Sequence, residues 1–395
     1  MSSPPQLVMV ARALPHHAIG GMQAVAWDLA MRLAEHGAGV TVLTTAVPGR
    51  PERFEDGGVR VRALPSTSWR RYGSRWWRGT RQVFQQELSR SCDLVFSVSA
   101  GGFGLLPLRS SMPRLPFVLQ AHGTSMAEAK SKWRSGNPRA MAGSLRNMAW
   151  IVKDLDAYRR FDAVVAVGDR VAQDLSTGVT RHFVDSGRLK IIHNGVDTVL
   201  FRPEAAARER IRRKFGWSDS RRVIISVGRL HRQKGLDLGL DAFAAQAEHQ
   251  GDSEYLIVGE GPERDLLRRR ARDLGVGDRV HFVGGVSRQQ VAEYLNAADT
   301  MLFTTTHLEG NPLNVLEALA VGLPVVASEH LRGTLPSSDA ISFVDPRDAG
   351  AVASRLRSAR AMLQPRQSRL PEGYSMTESL AQYLRLFAEL LGEKP

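Results

Sequence analysis

Two carboxylates bracket a helix-start signal in the second half of the chain. Glu309 and Glu317 lie eight residues apart, and the first is followed by the sequence GNPL at 310–313. Asn311 suits an N-cap and Pro312 the first helical position, so we expect a helix to begin here. The free N–H groups of such a helix start bind phosphate oxygens, and Glu317 can accept two hydrogen bonds from a ribose diol. Glu309 is placed to contact a sugar; the alternative is a capped surface helix with solvated acids.

Two cations lie five positions apart on a loop bounded by glycines, GRLHRQKG at 228–235. The loop follows an apolar run typical of a strand and precedes a helical pattern. Arg229 offers a planar fork and Lys234 a mobile point charge, and together they suit a diphosphate. The alternative is an ordinary basic loop between a strand and a helix.

Three smaller signals also follow strand-like runs. Gly20 and Gly21 open a helical pattern after the first run, so the backbone there can approach a ligand closely. Gly261 lies in a tight turn, GEGP, after another run. His122 is placed to contact substrate hydroxyls, although a lone histidine at a strand end is more often structural. The glycines do not form G-x-G-x-x-G, which counts against an NAD or FAD enzyme.

Short β-branched runs alternate with amphipathic helical patterns along the whole chain. Seven runs lie between 6 and 193, and five lie between 222 and 328. Near-continuous apolar strands joined by helices indicate parallel sheets covered on both faces. A turn-rich join at 194–203 separates the halves, so we predict two Rossmann-like, doubly wound α/β domains facing across a cleft. In such sheets ligands bind at the carboxyl ends of strands, where the residues above fall.

The 395 residues are 43% hydrophobic and carry a formal net charge of +13. Residues 1–200 hold 26 Lys and Arg against 15 Asp and Glu, whereas the remainder holds 27 against 25. A basic first half favours an anionic partner: nucleic acid, a phosphorylated substrate or an anionic lipid surface; the alternative is charge that serves solubility. The lone Cys92 excludes an intramolecular disulfide framework. We see no signal peptide and no spanning run, and we expect a cytoplasmic protein.

An aromatic and basic segment, 69–84, stands out in the basic half. On a helix its aromatic residues approximate one face and its arginines another, which is typical of a helix lying on an anionic membrane. Gly73 and Gly79 weaken a helix, so a core-facing segment or a loop is the alternative. The aromatic residues are Trp69, Tyr72, Trp76, Trp77 and Phe84, and the arginines are Arg71, Arg75 and Arg78.

Five motifs in this order resemble those of the retaining glycosyltransferase family 4 (group 1 transferases), which has the GT-B fold. The strongest is EGNPLNVLEALAVGLPVVAS at 309–328, with the family's Glu-x7-Glu spacing at Glu309 and Glu317. The likeness covers nearly the whole chain and is densest in the second half. The other motifs are GGMQAVAWDLAMRLAEHGAGVTVLTT at 20–45, HNGVDTVLFRP at 193–203, SVGRLHRQKGLD at 226–237 and VGEGPERDLL at 258–267.

The resemblance implies a nucleotide-sugar donor, a UDP- or GDP-sugar, with no other cofactor. It divides the chain into an acceptor-binding domain at 1–197, a donor-binding domain at 198–375, and a helix at 376–395 that crosses back to the first domain. The residues expected to bind the donor are Gly20, Gly21, Gly228, Arg229, Lys234, Gly261, Glu309, Gly310, Asn311, Pro312, Leu313 and Glu317.

By match to the family, Arg229 and Lys234 bind the diphosphate, Glu317 binds the ribose, and Glu309 with the backbone of 310–313 holds the sugar. His122 matches a histidine near the transferred sugar and the acceptor. The predicted catalytic residues are therefore His122, Arg229, Lys234 and Glu309. No Asp-x-Asp lies near the donor loops, so we expect these cations, and no metal ion, to stabilise the leaving diphosphate.

The family implies transfer with retention. The segment 69–84 favours a glycan or a lipid-linked saccharide as acceptor, in cell-surface polysaccharide or glycolipid synthesis at the inner face of the plasma membrane. Two segments depart from the family: 329–336 lacks its Gly-Gly and glutamate, and 130–160 is longer and more basic, which we interpret as acceptor-specific. The alternatives are an epimerase or phosphorylase of the same fold, or a non-catalytic nucleic-acid binder. No RRM, zinc finger or KH loop is present, so we expect no nucleic-acid partner.

Overall fold

The chain divides into two units, of which one comprises Met1–Gly195 with Met376–Pro395 and the other Val196–Ser375. Part of the segment 130–160, which we predict to be acceptor-specific, lies outside the described residues. The computed structural model describes residues 4–18, 20–127, 129, 138–247, 252–359 and 366–392, with the backbone alone for 138–147.

The first unit is built on an eight-stranded sheet. Its strands are β1 (Gln6–Val10), β2 (Gly39–Thr45), β3 (Arg53–Asp56), β4 (Val59–Leu64), β5 (Leu94–Val98), β6 (Phe117–Ala121), β7 (Ala163–Ala166) and β8 (Leu189–Ile191). They lie in the order β3-β4-β2-β1-β5-β6-β7-β8, and all pairs are parallel except β3 with β4. Its helices include α1 (Gly21–Glu35), α2 (Ser74–Val83), α3 (Pro138–Tyr158) and α4 (Asp169–Ser176).

The second unit is built on a six-stranded parallel sheet. Its strands are β9 (Arg222–Val227), β10 (Ser253–Val258), β11 (Val280–Gly284), β12 (Thr300–Phe303), β13 (Val325–Ser328) and β14 (Ile341–Val344), in the order β11-β10-β9-β12-β13-β14. Its helices are α5 (Ala205–Phe215), α6 (Leu236–Ala247), α7 (Arg264–Asp273), α8 (Arg288–Ala297), α9 (Leu313–Ala320) and α10 (Ala349–Ser358).

Several inner strands of both sheets are buried along their whole length. Every residue of β5, β6, β10, β12 and β13 is buried. Parallel strands require this pattern because helices cover both faces of the sheet. The predicted pair of doubly wound α/β domains is confirmed.

A last helix, α11 (Met376–Leu391), packs into the core of the first unit. The rings of Tyr383 and Phe387 contact Phe96 of β5, with centroids 5.6 and 5.8 Å away. The Ser379 hydroxyl donates to the carbonyl oxygen of His193 at 2.7 Å. The predicted return of the C-terminal helix to the first unit is therefore confirmed.

Two strands at sheet edges are not predicted from the sequence. β3 has the sequence RFED, and β14 is a short run between turns. Edge strands are often short, which limits pairing with other chains and shortens the signal on which the prediction depends. In β3 the charged residues also remove the apolar signal.

The segment 69–84 does not form one aromatic helical face. The helix begins only at Ser74, and Trp76 and Phe84 are buried in the core of the first unit. Trp76 donates its indole N–H to the carbonyl oxygen of Gly101 at 3.1 Å. The lipid-facing arrangement of these two rings is therefore wrong and the core-facing alternative correct, because the turns after β5 offer them an apolar surface. None of the helices among the described residues is both long and apolar enough to cross a bilayer.

Three arginines converge on the buried Asp299 of the second unit. Arg208 and Arg212 of α5 lie 2.8 and 3.4 Å from its carboxylate, and Arg366 lies 3.3 Å away. The backbone N–H of Val223, in β9, donates to the same carboxylate at 2.8 Å. Burial and the neighbouring Arg208 lower the pKa of Arg366 to about 10. Asp299 thus joins α5 and the segment before α11 to the sheet. Its negative charge also offsets the repulsion among the three neighbouring arginines.

We expect Asp299→Asn to lower the free energy of unfolding of the second unit by about 3 kcal/mol, because it leaves buried cations without their carboxylate. Thermal and urea denaturation measure the change. Asp252→Asn is the control, since its exposed carboxylate pairs with Arg221 at 3.2 Å and should contribute little. Equal effects of the two substitutions would contradict a structural role for Asp299.

Candidate active site

The loop after β9 is held by close backbone contacts with the loop after β10. Gly228 has a φ of +155°, and its N–H donates to the carbonyl oxygen of Val258 at 2.9 Å. A Cβ at Gly259 would lie 1.9 Å from the Gly228 carbonyl oxygen, and one at Gly261 would lie 2.1 Å from that of Leu230. Gly261 is thus required for packing of the two loops, and its contact with a donor stays a prediction.

Arg229 and Lys234, the two predicted diphosphate ligands, line one small cavity together with Gly228. The Arg229 side chain is exposed, and in the part of the chain that the structure describes no carboxylate pairs with it. Lys234 ends a single 3₁₀ turn, Arg232–Lys234, which the His231 side chain caps. The loop therefore brings both cations to one cavity at the carboxyl end of β9.

Lys234 also joins this loop to the glutamate loop. Its Nζ lies 2.7 Å from Oε1 of Glu309, and both side chains are largely buried. The Thr305 hydroxyl donates to the same carboxylate at 3.1 Å and lies 2.9 Å from the carbonyl oxygen of Gln233. Because an ammonium has three N–H donors, Lys234 can bind a phosphate oxygen while it stays paired with Glu309. Sequence reasoning missed Thr305, although its place just after β12 was a usable signal.

The helix after this loop starts one residue later than predicted. Asn311 is not the N-cap: α9 begins at Leu313, and Pro312 takes the cap position with a ψ of 101°. The Pro312 carbonyl oxygen accepts from the N–H of Val315 at 3.1 Å, so it makes the first helical bond. Gly310 and Asn311 lie in the preceding loop. Asn314, in the first turn, donates to the carbonyl oxygen of β9's last residue at 2.6 Å, which fixes the helix start beside the basic loop.

Glu317, the predicted ribose ligand, is buried one turn after Asn314 on α9. Its Oε1 lies 3.5 Å from a guanidinium nitrogen of Arg288, the first residue of α8. The Arg288 guanidinium carbon also lies 5.4 Å from the ring centroid of Phe201. Sequence reasoning missed Arg288, because no spacing rule relates it to a glutamate 29 residues away.

Gly20, Gly21 and His122 belong to the first unit. Gly21 begins α1, and Gly20 is its N-cap with an extended φ of −171°. His122 directly follows β6, and its Nε2 lies 2.9 Å from the amide oxygen of Gln120. The Gln120 amide in turn donates to the Tyr383 hydroxyl of α11 at 2.8 Å. Since an amide oxygen only accepts, His122 carries its proton on Nε2, and Nδ1 is its acceptor atom.

Burial lowers the pKa of His122 to about 4. Removal from water disfavours the imidazolium because its charge loses hydration. The imidazole is therefore neutral at physiological pH. A neutral ring with a fixed tautomer can orient a hydroxyl group through Nδ1.

Comparison with known proteins identifies the family. The model of the glycosyltransferases of family 4 matches residues 19–200, and that of the glycosyl transferases of group 1 matches residues 207–359. The chain belongs to this glycosyltransferase family. The two matches together include most of the described residues of both sheets.

The names of two relatives of this chain give different acceptors. Over 180 residues (44% of the chain, 47% of the relative) it is 34% identical to the GDP-mannose-dependent alpha-(1-6)-phosphatidylinositol monomannoside mannosyltransferase of Mycolicibacterium smegmatis. Over 369 residues (87% of the chain, 82% of the relative) it is 28% identical to the 2-deoxystreptamine N-acetyl-D-glucosaminyltransferase of Streptomyces fradiae. The chain thus matches about half the length of the first relative.

The fold of this chain is similar to the solved structure of sucrose-phosphate synthase from Thermosynechococcus elongatus. The TM-score between the two is 0.79 and the sequence identity is 20%. The match covers 98% of this chain and 99% of that one. It confirms the GT-B fold. Among the described residues, no three His, Cys, Asp or Glu side chains are grouped as a metal site requires.

We expect the imidazole of His122 to titrate near pH 4, because burial opposes its protonation. Histidine proton NMR measures the midpoint, and His122→Asn assigns the resonance. The unfolded chain protonates this histidine near pH 6.5, so stability should fall as the pH drops from 6.5 toward 4. His122→Asn should reduce that fall. A midpoint near 6.5 would contradict the buried, neutral imidazole.

Proposed function

We propose that the protein transfers a hexose, with retention, from a UDP- or GDP-sugar to a glycan or a lipid-linked saccharide. The observation that carries this proposal is the cavity lined by Arg229 and Lys234, with Lys234 held 2.7 Å from Glu309. The two cations suit a diphosphate, and the adjacent carboxylate suits sugar hydroxyls. The similarity to a GDP-mannose-dependent relative and to an N-acetylglucosaminyltransferase supports a nucleotide-sugar donor.

The reaction breaks the bond between the anomeric carbon and the diphosphate oxygen. Negative charge grows on the leaving diphosphate while the sugar becomes oxocarbenium-like. Arg229, Lys234 and the N–H groups at the start of α9 supply positive potential to the leaving group without reorganisation at the moment of reaction. We infer that these groups replace a metal ion in this role.

Retention follows if the acceptor attacks the face that the diphosphate leaves. The acceptor oxygen bonds to the anomeric carbon as the bond to the diphosphate breaks, and a departing phosphate oxygen takes the acceptor proton. No covalent bond to the enzyme is needed. Glu309 and the backbone at 310–313 hold the sugar, Glu317 binds the ribose, Gly20 and Gly21 approach the donor phosphates, and His122 orients a sugar hydroxyl through Nδ1.

Peripheral contact with an anionic membrane is part of the proposal, in a changed form. Trp76 and Phe84 are buried, but Arg71, Arg75 and Arg78 are exposed. Arginines near an anionic surface each add attraction that salt weakens. Such contact fits an acceptor presented at the inner face of the plasma membrane.

We expect Arg229→Ala and Lys234→Ala each to lower kcat/KM by roughly a hundredfold or more, because each removes a charge that stabilises the leaving diphosphate. Sugar transfer is measured with the donor that gives the largest thermal shift among UDP-, GDP- and ADP-sugars. Arg232→Ala is the matched control, since Arg232 is exposed on the same turn and has no assigned role.

Near wild-type transfer by both variants would overturn the assignment of the two cations. Product analysis with and without a saccharide acceptor separates transfer from the alternatives. A new epimer formed without acceptor would indicate an epimerase, and phosphate-dependent release of sugar phosphate would indicate a phosphorylase. Strong RNA or DNA retention without nucleotide-sugar binding would indicate the nucleic-acid binder.

For the membrane contact, we expect binding to vesicles with anionic lipids that weakens as salt rises. The triple variant Arg71→Gln, Arg75→Gln, Arg78→Gln should lower partitioning by roughly a hundredfold, at about 1 kcal/mol per arginine. The control removes the same charge from exposed residues of α7, with Arg268→Gln, Arg269→Gln and Arg272→Gln. Absence of sedimentation with vesicles at low ionic strength, or equal loss in both variants, would contradict this contact.

A further inference from the structure

Three aromatic rings of the first unit contact one another in a compact group. Tyr72 stacks on Trp77 with their centroids 6.1 Å apart and their planes at 8°. Trp150 of α3 lies 5.7 Å from both rings. All three side chains are partly exposed, so the group is not a closed core.

Two cations lie over these rings. The guanidinium carbon of Arg12 is 4.1 Å from the centroid of Tyr72. The ammonium of Lys153 is 4.7 Å from the centroid of Trp77 and 5.1 Å from that of Trp150. No ion pair of either cation with a carboxylate occurs among the described residues. A ring quadrupole attracts a cation but carries no net charge, so the rings do not cancel either positive charge.

The nearby titratable groups offset these charges only in part. The Asp154 carboxylate accepts from the backbone N–H of Ser125 at 3.0 Å and from the Tyr158 hydroxyl. Both donors are neutral, so Asp154 keeps its negative charge, and together with Arg12 and Lys153 it leaves one net positive charge. Burial raises the pKa of Tyr72 to about 12, so this ring is a neutral phenol. The indole N–H of Trp77 is shielded from water and has no acceptor.

The aromatic–cation cluster (Arg12, Tyr72, Trp77, Trp150 and Lys153) lies at the carboxyl end of the first sheet. Arg12 follows the end of β1 by two residues. Asp154, beside Lys153, is bonded to Ser125 in the loop that begins with His122 after β6. Ligands of doubly wound sheets bind at this edge. The cluster therefore combines aromatic faces, a net positive charge and a position where substrate is expected.

We propose that the aromatic–cation cluster is an acceptor subsite that binds a saccharide carrying a phosphate. The rings cover the apolar face of the saccharide, and Arg12 and Lys153 bind the phosphate by charge-assisted hydrogen bonds. This inference rests on the proposed sugar transfer and narrows its acceptor to phosphosaccharides, whether soluble or linked through phosphate to a lipid.

The test is calorimetric titration of the full chain with glucose 1-phosphate, methyl glucoside and inorganic phosphate, with the donor site saturated by UDP or GDP. The wild type should bind glucose 1-phosphate at least tenfold more tightly than either of the other probes. Lys153→Gln should weaken the binding of glucose 1-phosphate about tenfold and leave the binding of methyl glucoside unchanged. Trp150→Ala should weaken the binding of both. Arg78→Gln is the control, because it removes one exposed charge of α2 outside the cluster.

If glucose 1-phosphate and methyl glucoside bind with equal affinity, the proposed role of the cations is wrong. If inorganic phosphate binds as tightly as glucose 1-phosphate, the proposed role of the rings is wrong. If Lys153→Gln and Arg78→Gln lose the same affinity for glucose 1-phosphate, the loss reflects the net charge of the protein and not a contact of Lys153, which would contradict the subsite. A glucose phosphodiester with a dodecyl chain, in micelles, should bind more tightly than glucose 1-phosphate if the acceptor is lipid-linked and equally if it is soluble. Thermal shifts with nucleotide sugars test the donor site separately. Absence of any shift would overturn the proposed sugar transfer, whereas the calorimetric titration would still test phosphosaccharide binding at this subsite.

Discussion

Positive charge must be either paired or kept in water, and this constraint sorts the cations of this protein into two kinds. Arg208, Arg212 and Arg366 are largely buried, and each contacts Asp299 and backbone carbonyl oxygens. Arg229 is exposed at the end of β9 and has no carboxylate partner in the described part of the chain. The buried cations stabilise the second unit, whereas the exposed one is available for an anion.

Lys234 shares features of both kinds, because it is paired with a carboxylate and can still bind an anion. Its ion pair with Glu309 keeps the ammonium in place without using all of its donors. The same pair holds the glutamate loop next to the basic loop, and the bond from Asn314 to the backbone of β9 holds the start of α9 there too. Charge pairing and backbone bonding thus assemble one site from the basic loop, the glutamate loop and the start of α9.

Strand positions were predictable because buried parallel strands leave a strong apolar signal, as in the fully buried β5 and β10. The edge strand β3 was not, because its residues alternate between partly exposed and exposed, and a charged run looks like a loop. The start of α9 was displaced by one residue because Pro312 itself makes the first helical carbonyl bond. Periodicity determines the existence of an element, but its ends depend on single hydrogen bonds.

Some residues of the candidate site were likewise predictable from the sequence, and others were not. Motif spacing predicted Arg229, Lys234, Glu309 and Glu317, since a glycine-bounded loop and a helix start each leave a local pattern. Arg288 and Thr305 were not predicted, because their contacts with Glu317 and Glu309 depend on how α8 and β12 pack.

The aromatic residues of 69–84 show why a periodic pattern alone does not determine a surface. Trp76 and Trp77 are neighbours in sequence, and a helix turns them about 100° apart. Trp76 enters the core because a glycine-rich turn after β5 lets α2 approach closely: a Cβ at Gly104 would lie 2.6 Å from the Trp77 carbonyl oxygen. Trp77 then faces α3, where Lys153 covers its ring. Close packing on one side of α2 therefore places the second indole among the rings and cations at the carboxyl end of the sheet, where we propose that the acceptor binds.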